Sequence, residues 1–456
     1  ASIDYQIMWN RLIAVVEEQA MTLIRTAFST SVREAGDLSA GLFDRQGRMM
    51  AQAVTGTPGH VNAMAESVSH FAREIGAQNI YEGDVYITND PWKGTGHLHD
   101  ITVVSPVFRN ALHIGYFACT AHVVDVGGRG FGPDAGEVFE EGLLIPISKF
   151  AERGVVNDFL IRMIRANVRT PDQTVGDMYS LAACNEAGNR RLQAMMSEFE
   201  IDDLDGLSDF IMEASRSATH RAIANVPDGV FRNRMTVDGF EAPVEMVVAL
   251  TVSGDRIAAD FAGTSGMSAF GVNVPEVYTR AYACYGLKCA IAPQVPNNTG
   301  SLEPFQITAP EGCILAARRP APMARMTVAP PVTMSPPANT PGRLVRPVSS
   351  STAIVPQRVR SSSGTVDSSS GLGPFPIATT ARSAAISVSS PAMGSGRRRP
   401  VASGSPSCIR CSATISSTPS VPRSSVGETR KSKPMPSSRA CRTSSRRAGI
   451  SSSVRR

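Results

Sequence analysis

The feature that most constrains how this chain of 456 residues can fold is an abrupt change in composition near residue 320. Residues 1–320 contain 25 basic and 38 acidic residues, whereas residues 321–456 contain 20 basic residues and only two acids, Asp367 and Glu428. The second part is rich in Ser, Pro and Arg and shows neither a helical nor a strand period. Such a segment cannot bury enough apolar surface to offset its chain entropy. We therefore predict a folded region over 1–320 and a disordered tail over 321–456.

The composition of the tail also suggests how it arose. Arg, Ser, Pro and Ala are the residues that GC-rich coding DNA yields when it is read in the wrong frame. We predict that the natural frame is lost between Arg318 and Met326. The alternative is a genuine basic tail that binds nucleic acid or an acidic surface, although it lacks aromatic interleaving and RGG repeats. The net acidic charge of residues 1–320 argues against nucleic-acid binding by that region.

Apolar periodicity in the first 320 residues predicts an α+β fold, with mixed, mainly antiparallel sheets and grouped helices. Scattered cysteines are predicted to be buried free thiols, and there is no signal sequence or apolar stretch long enough to cross a bilayer, so we expect a cytoplasmic location. The predicted helices cover residues 3–28, 62–75, 156–164, 172–198, 207–226 and 277–291. The predicted strands and hairpins cover residues 41–53, 84–88, 101–108, 112–120, 230–237, 244–252 and 256–261.

The residues that indicate chemistry lie at the open end of the hairpin formed by residues 101–120. A turn centred near Asn110 or Ala111 places Asp100 almost opposite His122, and directly opposed residues have Cβ atoms about 5 Å apart. His97 lies one short step upstream. Two imidazoles and one carboxylate therefore converge, which predicts a metal site with coordination positions left open for substrate or water.

Neighbouring polar residues allow further roles. Asp90, His99 and Asp125 are close enough in sequence to act as extra ligands or to hold an imidazole in one tautomer. The alternative is a solvated His/Asp cluster, because the convergence depends on the hairpin register. His60 either begins a helix at a pocket or lies at a helix end on the surface, and Asp37 lines a site or belongs to a solvated loop.

No nucleotide-binding motif is present. The glycine-rich run 127–132 could cradle an anion, but it lacks the Lys-Ser/Thr of a P-loop, so a lid or turn is the simpler interpretation. The chain has no Gly-x-Ser-x-Gly elbow and no cysteine in an evident nucleophile motif.

Motifs in order along the first 322 residues resemble the hydantoinase B/5-oxoprolinase family. Its relatives include the N-methylhydantoinase B subunit and the metal-carrying subunits of acetone and acetophenone carboxylases. The matching segments are 57–60, 87–91 (Ile-Thr-Asn-Asp-Pro), 96–102 (Gly-His-Leu-His-Asp-Ile-Thr), 121–128 (Ala-His-Val-Val-Asp-Val-Gly-Gly), 165–169, 176–177, 260–265, 297–301 and 309–312.

The resemblance implies a divalent metal (Mn, Zn, Fe or Mg) on His97, Asp100 and His122. It implies a hetero-oligomer in which a hydantoinase A-like subunit with an actin-like ATPase fold binds ATP and phosphorylates the substrate. This chain would then use the metal to open a cyclic amide of the hydantoin or 5-oxoproline type, with Asp125 or His60 moving protons.

Two other functions stay open on the same resemblance. The first is a subunit of an ATP-dependent ketone carboxylase of the acetone or acetophenone type. The second is an inactive truncated remnant, because the family continues as a folded protein well past residue 322. No partner nucleic acid or membrane is expected.

Overall fold

A computed structural model describes residues 2–324 of the chain. The helices in this part are α1 (Ser2–Thr26), α2 (Thr30–Arg33), α3 (Pro58–Ile75), α4 (Val138–Glu141), α5 (Asp158–Asn167), α6 (Pro171–Glu198), α7 (Asp205–Ile223), α8 (Glu276–Ile291) and α9 (Thr299–Leu302), with a 3₁₀ turn at Ala77–Asn79. The strands are β1 (Leu38–Asp44), β2 (Met49–Gln52), β3 (Val85–Thr88), β4 (Asp100–Arg109), β5 (Leu112–His122), β6 (Ser148–Glu152), β7 (Val155–Val156), β8 (Gly229–Val237), β9 (Val244–Ser253), β10 (Arg256–Asp260) and β11 (Phe305–Thr308).

The strands form two sheets. The larger has the order β2-β1-β5-β4-β3-β6-β7, and its neighbouring strands are all antiparallel. The smaller has the order β11-β10-β9-β8, in which β10 and β11 run parallel. This arrangement confirms the predicted α+β class with mainly antiparallel sheets. Three short strands, β6, β7 and β11, were not predicted from the sequence.

Helices cover both faces of the larger sheet. On one face, Leu23 of α1 and Leu181 of α6 pack with Cys119 of β5 in one apolar cluster. On the other, Phe71 of α3 packs with Tyr116 of β5. Alternate residues of β5 therefore face different helices, and β1 is buried along its whole length. Strands buried on both faces read as continuous apolar runs.

The central hairpin has the predicted turn. Asn110 and Ala111 form a two-residue loop in which both have positive φ, 49° and 63°. Such a turn matches the right-handed twist of the flanking strands. The ladder pairs Asp100 with His122 and continues to a pairing of Arg109 with Leu112, past one irregularity near Val107. The predicted pairing of Asp100 with His122 is confirmed.

Packing continues past Pro320 as far as the described residues reach. Met323 is fully buried, and its backbone N–H donates to the Glu141 carboxylate over 2.8 Å. The backbone N–H of Ala324 donates to the carbonyl oxygen of Asn273 over 2.7 Å. The rest of the predicted tail, 325–456, lies outside the described residues.

Two further observations bear on the sequence predictions. Four of the five cysteines in the described residues are buried free thiols as predicted, but Cys289 is exposed. Among residues 2–324, no helix has both the length and the apolar character needed to cross a bilayer.

Candidate metal centre

The open end of the β4–β5 hairpin carries the three predicted metal-binding residues. Asp100 begins β4, and His122 ends β5 directly opposite it. His97 lies in the loop that leads into β4, and its carbonyl oxygen accepts a hydrogen bond from the Asp100 N–H over 3.3 Å. The side-chain amide of Asn89 holds the same loop by donating to the Leu98 carbonyl over 2.8 Å.

The structure brings these three side chains together. His122 Nδ1 lies 3.1 Å from Asp100 Oδ1, and His97 Nε2 lies 3.4 Å from Asp100 Oδ2. One possible ligand atom from each of the three residues lies within 4.8 Å of the others. Asp100 and His97 are buried, whereas 15% of the His122 side chain is exposed. The group therefore has an interior side and one side that faces solvent at His122.

Two more polar residues join this group. His60, in the first turn of α3, places Nε2 2.9 Å from Asp100 Oδ2 and 3.6 Å from Asp37 Oδ1. Asp37 lies just before β1, where its other carboxylate oxygen is 3.8 Å from His122 Nδ1. The Thr57 hydroxyl fixes Asp37 by donating to Oδ1 over 2.7 Å. The arrangement is therefore three imidazoles around two carboxylates.

Burial and charge act differently on the two buried imidazoles. Burial lowers the pKa of His97 to about 4, despite the opposing attraction of Asp100, so its ring is neutral near pH 7. Burial also favours the neutral form of His60, but the nearby carboxylates of Asp100 and Asp37 together outweigh burial and raise the pKa of His60 to about 9. For Asp100, burial is outweighed by the nearby imidazoles, and its pKa lies well below the usual value. A neutral imidazole beside an ionised carboxylate has the protonation that a cation requires of its ligands.

Buried polar atoms that lack hydrogen-bond partners in this group of residues indicate whether a cation could bind there. Among the described residues, Asp100 Oδ2, His97 Nδ1 and His60 Nδ1 are buried and have no hydrogen-bond partner. The approach of His60 Nε2 to Asp100 Oδ2 is close in distance but lacks hydrogen-bond geometry. Buried polar atoms are nearly always satisfied in folded proteins, so the Asp100 Oδ2 atom, which lies close to Nε2 of both His60 and His97, is the one whose lack of a partner is compatible with a bound cation. Two imidazoles and a carboxylate form a donor set that suits Zn, Mn or Fe, and these residues fit such an ion.

The other predicted residues have different partners. The Asp90 carboxylate pairs with Arg319. The His99 ring stacks on His122 with centroids 5.3 Å apart. Asp125 accepts hydrogen bonds from the Gly127 N–H over 2.9 Å and from the Arg169 guanidinium over 2.8 Å.

Asp125 is also strongly held as an anion. Burial opposes its charge, but hydrogen bonds from Arg169 and Gly127 outweigh burial and lower the pKa of Asp125. A carboxylate occupied in this way joins the segment that follows β5 to the segment that follows α5. His60 therefore contacts Asp100 directly, whereas the Asp125 carboxylate is taken up by Arg169 and Gly127.

Sequence reasoning left Asp37 undecided between a site and a solvated loop. Its position follows from the pairing of β1 with β5, which aligns Leu38 with Ala121. The His122 N–H donates to the Asp37 carbonyl oxygen over 3.1 Å at the same point. The only local signal was an acidic residue directly before a buried strand, and that signal is too common to identify a site.

Comparisons of this chain with known proteins all point to the same family. A sequence model described as Hydantoinase B/oxoprolinase matches residues 1–335. An uncharacterized protein of Methanocaldococcus jannaschii is 30% identical over 322 residues, covering 68% of this chain and 56% of that protein. The 5-oxoprolinase 1 of Arabidopsis thaliana is 28% identical, covering 69% of this chain and 27% of that protein. The B subunit of a putative D-/L-hydantoinase from a Pseudomonas species is 27% identical, covering 70% of this chain and 57% of that protein. The chain thus spans between about a quarter and just over half of the length of these relatives.

Solved structures show the same fold. An ATP-dependent caprolactamase from Pseudomonas jessenii has a TM-score of 0.66 at 23% identity, with 71% of this chain and 57% of that chain covered. A nucleotide-free acetone carboxylase has a TM-score of 0.65 at 19% identity, with 71% and 45% covered. At these identities the likeness concerns the fold alone. Because the sequence model covers residues 1–335 of 456, this chain belongs to the hydantoinase B/oxoprolinase family.

Proposed function

We propose that this chain is the metal-binding subunit of an ATP-dependent hydrolase that opens cyclic amides of the hydantoin or 5-oxoproline type. The observation that carries the proposal is the convergence of His97, Asp100 and His122, which place one possible ligand atom each within 4.8 Å of the others. The names of the relatives, a 5-oxoprolinase and a putative hydantoinase, support the substrate class. Since the chain spans only part of their length, the activity of the complete enzyme is also part of the proposal.

A divalent ion in this group would supply Lewis-acid polarisation of a substrate oxygen. His97, neutral near pH 7, offers a ring nitrogen without first losing a proton. Asp100 contributes the negative charge that offsets the cation in a buried setting. His122 is the partly exposed ligand, so substrate would approach from its side.

Opening an amide ring also requires a proton for the departing nitrogen. His60 is the residue we propose for this step, because its Nε2 lies 2.9 Å from Asp100 Oδ2, beside the proposed metal ligands. Asp125, the other residue expected from the sequence, is paired with Arg169 and is proposed to position the loop instead.

The absence of a nucleotide-binding motif in this sequence fits a division of labour in which a partner uses ATP. We propose a hydantoinase A-like ATPase subunit that phosphorylates the amide oxygen and so makes a poor electrophile reactive. The assembly would be a hetero-oligomer. We place it in the cytoplasm, where ATP is available and the free thiols of the described residues stay reduced.

Replacement of His122 by alanine tests the metal assignment. The full chain is purified, exposed separately to Mn²⁺, Zn²⁺, Fe²⁺ and Mg²⁺, desalted, and analysed for bound metal by mass spectrometry. We expect one tightly bound ion in the wild type and none in His122→Ala, with an unchanged circular-dichroism spectrum. His113→Ala is the matched control, because His113 lies near the opposite end of the same strand, where its ring bonds to the Gly115 carbonyl oxygen over 3.0 Å. Unchanged metal occupancy in His122→Ala would remove the assignment.

A second candidate is carboxylation of a small ketone at the same residues. The fold likeness to acetone carboxylase favours considering it. With the ATPase partner and ATP present, loss of hydantoin or 5-oxoproline would support hydrolysis, whereas incorporation of labelled bicarbonate into acetone would support carboxylation. Absence of both reactions with metal bound would support the inactive remnant. Resequencing the codons for residues 318–326 tests the predicted loss of frame directly.

A further inference from the structure

An exposed phenyl ring lies beside the solvent-facing side of the candidate metal centre. The rings of His99 and His122 are stacked, with an interplanar angle of 12°. The ring of Phe131 lies across both, with centroids 5.4 Å from His99 and 5.5 Å from His122 and interplanar angles of 88° and 81°. In spite of these contacts, 57% of Phe131 is exposed. Its free surface therefore adjoins the partly exposed ligand, from whose side substrate would approach.

The loop that carries this ring is anchored on both sides. Before the ring, the Arg129 N–H donates to the Glu140 carbonyl oxygen over 2.9 Å. After it, the carbonyl oxygen of Pro133 accepts from the Gly271 N–H over 2.8 Å. Two fixed ends separated by three residues leave little freedom for the ring between them.

The space around the tip of this loop is open. Gly130 has φ of +86°, and a Cβ atom placed on it would meet nothing within 4 Å. A large apolar ring held in open space beside a polar cluster has surface available for a ligand.

We propose that Phe131 is a substrate-binding residue, and that the flat ring of a cyclic amide packs against its exposed surface. The inference rests on the proposed function and narrows it to substrates that present a planar ring. Such a ligand has an apolar face for the phenyl ring and amide groups for the neighbouring imidazoles and carboxylate. An open-chain ketone of the size of acetone has no comparable face. Stacking of a planar ring on an aromatic side chain typically changes affinity by about tenfold when the side chain is truncated to alanine.

The test is equilibrium binding of hydantoin to the metal-loaded full chain by calorimetry. We expect Phe131→Ala to weaken hydantoin binding about tenfold, and Phe131→Trp to stay within about threefold of the wild type because it restores an aromatic face. Phe159→Ala is the matched control, since Phe159 is a similarly exposed phenylalanine (68%) on α5. It should bind hydantoin as the wild type does. Metal content is measured in all four proteins and should not change.

Each possible outcome of this binding experiment supports or overturns the proposed role of Phe131. Equal hydantoin affinity in the wild type and Phe131→Ala, with metal retained, would overturn the role of Phe131 and leave the proposed function intact. Loss of metal in Phe131→Ala would also overturn it, because the ring would then support His122 and not the substrate. If the metal-loaded wild type bound neither hydantoin nor 5-oxoproline, the proposed substrate class would be overturned, and the role of Phe131 with it.

Discussion

Replacement of Arg319 by alanine should destabilise the fold by about 2 kcal/mol, because it removes the charged partner of a buried carboxylate. The guanidinium of Arg319 pairs with Asp90, which is 3% exposed. The same guanidinium lies 4.5 Å from the centre of the Trp92 ring. After the replacement, Asp90 would keep its hydrogen bond from the Trp92 backbone N–H, 3.1 Å long, but no ion pair with residue 319.

The magnitude follows from the intermediate exposure of this pair. Loss of one partner from a fully buried ion pair costs about 3–5 kcal/mol, and a fully exposed pair contributes about 0–1 kcal/mol. The side chain of Arg319 is 43% exposed and that of Asp90 is 4% exposed, so the pair lies between these limits. A cation–π contact in such a setting adds about 0.5–1 kcal/mol. We take about 2 kcal/mol as the combined effect.

Urea unfolding of the full chain measures the change in free energy of unfolding. Arg318→Ala is the control, because the Arg318 side chain is 59% exposed and makes a 3.4 Å pair with the exposed Glu311. We expect that control to change stability by less than about 0.5 kcal/mol. In the background of Asp90→Asn, Arg319→Ala should cost much less than it does alone. The reasoning would be refuted if Arg319→Ala were no more destabilising than Arg318→Ala.

Three further predictions concern local features. Ala111→Gly should stabilise the chain by about 0.5–1 kcal/mol in urea unfolding, because φ at this position is +63°; a loss of stability would contradict the turn geometry. Gly128→Ala should destabilise the chain by at least about 2 kcal/mol in the same assay, since the added Cβ would lie 2.4 Å from the Glu141 backbone. Gly130→Ala should cost only about 1 kcal/mol, because the surroundings of Gly130 are open. Equal losses of stability in the two variants would count against this packing. Burial lowers the pKa of Lys288 to about 8, below its unfolded value of 10.5, so its contribution to stability should rise by up to about 3 kcal/mol as pH increases from 8 to 10.5. Lys288→Met should remove that rise from the pH profile of unfolding, and identical profiles would argue against the buried ammonium.

Local patterns predicted the larger elements well. The apolar stripe predicted over residues 3–28 corresponds to α1, and the hairpin predicted over residues 41–53 corresponds to β1 and β2. Although β3 and β10, which are no longer than β6, were predicted, the strands β6, β7 and β11 escaped prediction. Each depends on the edge of a sheet that other parts of the chain build.

By itself, the sequence determined that Asp100 and His122 lie near each other, because a turn near Asn110 or Ala111 fixes the register of the hairpin to within one residue. The irregularity between Val107 and Phe108 then shifts the ladder by one residue, so that Asp100 pairs with His122 and not with Ala121. Only the tertiary structure decided that Asp37, His60 and Phe131 meet at the same place. The pairing of β1 with β5 places Asp37 beside His122. Phe131 is placed by a loop whose ends form hydrogen bonds with the backbone of Glu140 and Gly271. Contacts between segments far apart in the chain depend on how whole helices and strands pack against each other. The periodicity of apolar residues within one segment carries no information about that packing.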